Sequence, residues 1–284
     1  MFINPHDWLH PHISLDYNRL YACDRIPRAD SNMSIAVAIV GRDGMVFGVD
    51  DMVYTSSSTI RKHYNGAQKL WPLQGKFALL AINDDKGVSD WIISEYERFC
   101  ESHGKGMRHY VSERACKLPL DIYENVLITF AEHVRGFFRS FEIDATKERT
   151  MSFTIAGYDS KGKPRIGHLY SRRSFVPKIE SGYRITCDSG TGEYYVEKLK
   201  DYLFKTVNSK LVPIASIETL KRLTAFIIIE TAKVNEDVSN RPYIFTLTEK
   251  DGIKPIKKCE LDRVLEYIEP ITNDKQLLAI LGMK

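Results

Sequence analysis

The segment from Ser34 to Ile82 constrains the fold more than any other part of the chain. An apolar run, Ser34 to Val40, turns at Gly41-Arg42-Asp43-Gly44 and returns as Met45 to Val49. This reads as a β-hairpin, because Asp-Gly suits a tight turn whose central residues take positive φ, which Gly adopts freely and Asp tolerates. The return strand ends at Asp50. Gly66-Ala67-Gln68-Lys69 then leads into a second hairpin, Leu70 to Leu73, a Gln74-Gly75 turn, and Phe77 to Ile82. A hydroxyl, a carboxylate and an amine, at Ser34, Asp50 and Lys69, thus stand at the ends of three strands. If those strands are neighbours the three side chains converge at one sheet edge, the arrangement that an amine-activated hydroxyl nucleophile needs.

Beyond Ile82 the chain alternates between helical and strand periods. Val88, Ile92, Tyr96 and Phe99 recur at helical spacing and predict a helix over about 89–100. From Leu120 to Glu142 the residues Ile122, Val126, Phe130, Val134, Phe137 and Phe141 predict a long helix with one apolar face. Met151, Phe153 and Ile155 restore a period of two, and Asp159-Ser160-Lys161-Gly162 turns the chain into Arg165 to Tyr170. A strand over Tyr183 to Cys187 comes next. Asp188-Ser189-Gly190-Thr191-Gly192 leads into a helix from Glu193 to about Thr206, and Ser216 caps another that turns Ile217, Leu220, Ile227 and Ile228 inward. Tyr243 to Thr248, a Lys250-Asp251-Gly252 turn and Ile253 to Ile256 form a last hairpin. Hairpins, two helices, strands, two helices and a hairpin require each sheet to cover one face with helices and bury the other, which two sheets packed face to face accomplish. The expected fold class is therefore α+β, a four-layer αββα sandwich of two antiparallel sheets.

The flanks differ from this body. Residues 1–33 contain Pro5, Pro11 and Pro27 and a turn cluster at Asp30-Ser31-Asn32, and read as an extension or propeptide. Their His6, His10 and His12 around Trp8 lack a nearby Cys or a regular helix to fix metal geometry and read as a surface arm packed by its aromatics. Residues 34–258 form the expected globular domain, and 259–284, with Leu261, Val264, Leu265, Ile268, Leu277, Leu278 and Leu281, an appended helical segment.

Composition narrows the partners. The 40 basic and 37 acidic residues give a net charge of +3 and are interspersed, so neither nucleic acid nor an anionic membrane is expected as a partner. The 5 cysteines are dispersed and form no CxxC pair, which predicts neither a disulfide framework nor a zinc site and fits a reducing cytoplasm. Met1 to Tyr21 carries Pro, His and Asp where a signal peptide needs a basic start and an apolar run. No stretch approaches the roughly 20 apolar residues of a membrane span. No cofactor or metal is expected.

The ordered set of these pieces resembles the proteasome-type N-terminal-nucleophile (Ntn) hydrolases, which include the proteasome β- and α-subunits and their bacterial relatives. The matching residues are Ser34-Ile35-Ala36-Val37-Ala38-Ile39-Val40-Gly41-Arg42-Asp43-Gly44, Val46, Val49-Asp50, Lys69-Leu70 and Ile155-Ala156-Gly157-Tyr158-Asp159. Ser189-Gly190-Thr191 and Thr248-Glu249-Lys250-Asp251-Gly252 complete them, so the resemblance runs from about Ser34 to Ile256. It implies that Ser34 is the nucleophile, Asp50 the carboxylate that orients and charges the site, and Lys69 the ammonium that lowers the nucleophile's pKa. Ser189, Thr191, and Asp237 with Ser239 resemble the supporting hydrogen-bond group. A free α-amine titrates near about 7.7–8 and so serves as base near neutrality, where an unperturbed lysine at about 10.4 does not.

Four departures from the family pattern stand in this sequence. Ser replaces the usual Thr, keeping the hydroxyl and losing a methyl that restrains the rotamer. Residues 1–33 precede Ser34, with Met33 where self-cleaved precursors usually carry Gly. Leu80-Ala81-Ile82-Asn83 lies where catalytic subunits usually have an oxyanion-hole Gly, leaving the Ala81 N–H as the candidate donor. The Asp237 to Ser239 spacing is one residue shorter than usual. Two functions are compatible with this pattern: a peptidase or amidohydrolase, active on peptide or protein substrates once Ser34 is the mature N-terminus, and a non-catalytic α-subunit-like scaffold. For Ser189 and Thr191, capping of the following helix is an equal alternative. Either function predicts a homo-oligomer or ring. An ATPase partner, ring size and the specificity set by loops such as Val53 to His63 are not legible.

Overall fold

Strands β1 (Ala36–Val40) and β2 (Met45–Asp50) pair antiparallel from Ala36↔Val49 to Val40↔Met45, so the first expected hairpin forms. Its turn differs from the expected one, since neither Arg42 nor Asp43 takes a positive φ. The four-residue loop is closed by Gly41 N–H on Gly44 O at 2.6 Å. Asp43 instead turns its carboxylate outward, where Oδ1 accepts from the Ile217 N–H at 2.8 Å at the start of a distant helix. The computed structural model describes residues 34–57, 60–64, 68–73, 77–83, 86–102, 121–142, 151–180, 182–186, 191–236, 238–271 and 274–282. The arm over 1–33, with its histidines, lies outside them.

Two five-stranded antiparallel sheets dominate. The first runs in the order β10 (Tyr183–Thr186), β1, β2, β13 (Pro242–Thr248), β14 (Gly252–Pro255). The second runs β5 (Leu70–Leu73), β6 (Phe77–Asn83), β7 (Met151–Tyr158), β8 (Pro164–Tyr170), β9 (Lys178–Glu180). Alternation along each strand sends successive side chains to opposite faces. Ala36, Ala38, Met45, Phe47 and Val49 from the first sheet thereby meet Leu70, Ala78, Leu80, Ile82 and Ala156 from the second in one buried core. The two sheets are packed face to face.

Helices cover the outer faces. Helices α1 (Lys86–Ser102) and α2 (Ile122–Ser140) lie on the second sheet, where Ile92, Tyr96, Phe130 and Val134 bury against Leu79, Phe153 and Ile155. Asp121 starts α2 by accepting from the Tyr123 N–H at 2.9 Å, satisfying a donor that the first turn leaves unpaired. Helices α3 (Thr191–Leu203) and α4 (Ile217–Val234) lie on the first sheet, and α5 (Lys258–Ile268) packs against α4. Val196, Leu220, Leu223 and Ile228 pack there against Val37, Ile39 and Val46. A Cβ at Gly48 would stand 2.2 Å from Thr224 Cγ2, so only glycine lets β2 and α4 approach this closely.

The C-terminal stretch belongs to the same core, because Val264, Ile268, Ile271, Leu277 and Ile280 are buried with α3 and α4. Two short hairpins stand outside the main sheets. β3 (Val53–Ser57) and β4 (Ile60–Tyr64) occupy the region expected as a loop. β11 (Phe204–Val207) and β12 (Lys210–Pro213) end α3 three residues before the expected Thr206. Asn208 and Ser209, at φ 49° and 60°, supply the two positive-φ residues of a two-residue hairpin turn. Among the described residues no helix is long and apolar enough to cross a membrane.

Candidate active site

The end of β2, the start of β1 and the residue before β5 meet at one edge of the sandwich. Asp50 closes β2, where it pairs with Pro242 of β13, and its side chain is fully buried. It accepts four hydrogen bonds. Oδ1 takes the Lys69 ammonium at 2.7 Å and the Ile35 N–H at 3.1 Å, while Oδ2 takes the Met52 N–H at 3.0 Å and the Ser239 N–H at 3.2 Å. Lys69 is itself 5% exposed. Since Asp50 belongs to the first sheet and Lys69 leads into the second, the ion pair ties the two sheets at this edge. A buried carboxylate costs several kcal/mol of desolvation unless paired and hydrogen-bonded (~3–5 kcal/mol is lost when one partner goes), and Asp50 has both an opposite charge and three backbone donors.

Ser34 stands directly before this knot. Its neighbour Ile35 donates to Asp50, and its own hydroxyl donates to Met52 O at 3.2 Å. The three residues expected to converge are thus linked through Asp50: Lys69 by a salt bridge, and Ser34 through the backbone of Ile35 and the carbonyl of Met52. Thr191 opens α3. That helix follows β10, whose last residue Thr186 pairs with Ala36, and Gly192 presses the helix start onto Ile185, where a Cβ would lie 2.7 Å from Ile185 Cγ2. Ser189 and Asp237 lie outside the described residues.

One expectation is corrected. The Ala81 N–H donates to Lys69 O at 3.0 Å, continuing the ladder between β5 and β6, and its methyl is buried toward α1 and α2. A backbone donor spent on the sheet ladder is not available to a developing oxyanion.

The sequence reading missed Asp51. It is 3% exposed, and its Oδ1 accepts the Ser239 hydroxyl at 2.5 Å. Ser239 in turn accepts from the Arg241 N–H at 3.2 Å. Two adjacent carboxylates therefore hold Ser239, one by its backbone and one by its side chain. The available signal was the acidic doublet that closes an otherwise apolar strand.

A second polar cluster lies between the sheets. His168 follows Ile166 on the inward face of β8, and Arg184 of β10 reaches across to donate to Nε2 at 3.1 Å. A guanidinium only donates, so Nε2 is an acceptor, and Nδ1 carries the proton toward the Ser152 and Thr154 hydroxyls, each at 3.4 Å. Burial, reinforced by the positive charges of Arg184, Lys178 and Arg173, holds His168 well below the ordinary imidazole range. It is a neutral strut between sheets.

Among the described residues no group of three His, Cys, Asp or Glu side chains is placed to hold a metal ion. No protein-family model matches the chain and no curated protein matches it.

Proposed function

We propose that this chain is a proteasome-type N-terminal-nucleophile amidohydrolase, a peptidase whose nucleophile is Ser34 and which acts once the Met33-Ser34 bond is opened. The observation that carries the reading is the buried Lys69–Asp50 pair, 2.7 Å long, whose carboxylate also receives the N–H of the residue after Ser34. The two face-to-face sheets flanked by helices and the ordered motifs from Ser34 to Ile256 support the same fold family. Release of the Ser34 α-amine supplies a base near neutrality. The hydroxyl oxygen then adds to the amide carbon while the amine takes its proton. The amine returns that proton to the departing amine of the substrate, and water hydrolyses the Ser34 ester. Lys69 stabilises the negative charge that develops on the hydroxyl oxygen. The substrate is a peptide or protein, and the subunits assemble with copies of themselves in the cytoplasm.

One observation favours a second reading, a non-catalytic scaffold subunit. Asp50 is completely satisfied without Ser34, by Lys69 and three backbone N–H groups, and such a knot holds two sheets together with no chemistry at all. The mass of the folded, purified protein separates the two. The hydrolase reading expects a species that begins at Ser34. Folded protein that retains Met33 joined to Ser34 throughout would overturn it.

A further inference from the structure

We propose that Asp51 is a positioning residue for the Asp50 carboxylate, acting through Ser239. Its catalytic consequence rests on the hydrolase reading, and its structural consequence does not. The geometry has three links. The Ser239 hydroxyl donates to Asp51 Oδ1 at 2.5 Å, the same hydroxyl accepts the Arg241 N–H at 3.2 Å, and the Ser239 N–H reaches Asp50 Oδ2 at 3.2 Å. Asp51 and Ser239 are 3% and 5% exposed. Among the described residues, the Ser239 hydroxyl is the hydrogen-bond partner of the Asp51 side chain.

A buried carboxylate held by one hydroxyl is a poor way to gain stability, because desolvation outweighs a single hydrogen bond. What the arrangement does gain is direction. With its proton committed to Asp51 and a lone pair to Arg241, the Ser239 hydroxyl has one rotamer, and residues 239–241 are fixed just before β13 pairs with Asp50 at Pro242. That fixes where the Ser239 N–H points. Asp50 Oδ2 has two donors, Met52 N–H and Ser239 N–H, and Oδ1 has the other two. Loss of the Ser239 donor frees the carboxylate to rotate about its Cβ–Cγ bond, and with it the point at which Lys69 and Ile35 are held. Two neighbouring carboxylates therefore have separate duties: Asp50 meets the charge, and Asp51 sets the loop that aims Asp50.

The test uses the full chain in the N-terminal form in which it is purified, with Asp51→Ala, Asp51→Asn, Ser239→Ala and the double variant Asp51→Ala/Ser239→Ala. Amide hydrogen exchange at Ser239 (or at the alanine replacing it) and at Ile35 is read first. Protection at both sites should fall at least about tenfold in Asp51→Ala and Ser239→Ala, the worth of a hydrogen bond to a charged group, while Val37 and Ile39 keep theirs. Asp51→Asn retains an acceptor for the hydroxyl and should restore most of it. Peptide hydrolysis is read second. In each single alanine variant kcat should fall about ten- to a hundredfold with KM within about threefold, and the double variant should be no worse than either single, as one shared interaction requires. Unchanged exchange at Ile35 and Ser239, or effects that add in the double variant, would overturn the proposal. If wild-type protein shows no Ser34-dependent hydrolysis, the hydrolase reading fails and the exchange result alone decides the role of Asp51. Should Asp51→Ala fail to fold, Ser239→Ala and Asp51→Asn carry the same comparison.

Discussion

Asp50→Ala is expected to destabilise the fold by about 3–5 kcal/mol, the usual cost of opening a buried ion pair from one side. The ammonium of Lys69 stays 5% exposed with its carboxylate gone, and the N–H groups of Ile35, Met52 and Ser239 lose their acceptor. Lys69→Met is expected to cost less, because the remaining carboxylate keeps those three backbone donors and such donors stabilise the charged form. Combining Asp50→Ala with Lys69→Met removes both charges and should cost less than Asp50→Ala alone. Urea unfolding at constant m-value measures all three. Equal losses for the two single variants would show that the pair contributes no asymmetric charge burden, and the description of Asp50 as the hub would fail.

The second large effect is pH-dependent and comes from His168. Its imidazole is held neutral between the sheets by burial, facing Arg184 on β10, Lys178 on β9 and Arg173 after β8. The nearby Glu180 lies 3.6 Å from Arg184 and offsets part of that positive field. Since the folded-state pKa is depressed below the unfolded value of about 6.5, the unfolded chain binds more protons as the pH falls. Stability from this group is therefore complete above about pH 6.5 and declines below it, by up to about 1.4 kcal/mol per pH unit until the folded form itself titrates. Denaturation between pH 7.5 and 4.5 should show this slope in the wild type and a shallower one in His168→Gln. Protonation would also remove the acceptor that Nε2 presents to Arg184, so β10 and β8 should separate first, detectable as early loss of amide protection at Arg184, which faces Ala38 in the β1–β10 ladder. Parallel slopes in the two proteins would contradict the assignment.

How much of the fold is legible in the sequence depends on which physical signal each element carries. The β1–β2 hairpin was readable because its apolar residues run without interruption into a Gly-rich turn. The turn type was not, since Asp43 serves the Ile217 N–H of α4, and sequence proximity cannot announce a partner so far along the chain. Ser216 gave a correct helix start because capping is local. The β11–β12 hairpin escaped because Asn208-Ser209 carries positive φ without the glycine that usually marks such a turn. The β3–β4 hairpin escaped because the sequence from Val53 to Tyr64 carries no alternating apolar signal.

The site divides the same way. Asp50 and Lys69 were legible as charged residues at the ends of apolar runs, where burial demands pairing. Asp51 was not, because its partner Ser239 is brought in by β13 pairing with β2, a fact of topology. The Ala81 N–H was misassigned for a related reason: whether a strand residue's N–H is free depends on the register of its neighbour, and Lys69 O takes it.

The central claim is that Ser34 is a nucleophile. It is tested most directly by treating the purified protein with a peptide epoxyketone or β-lactone and locating the adduct by peptide mass spectrometry. The hydrolase reading predicts one adduct per chain at Ser34, abolished by Ser34→Ala and strongly slowed by Lys69→Met. A folded protein that begins at Ser34 and yet acquires no adduct there, or labels equally well as Ser34→Ala, would contradict it and leave the Asp50–Lys69 knot as the structural clasp of a scaffold.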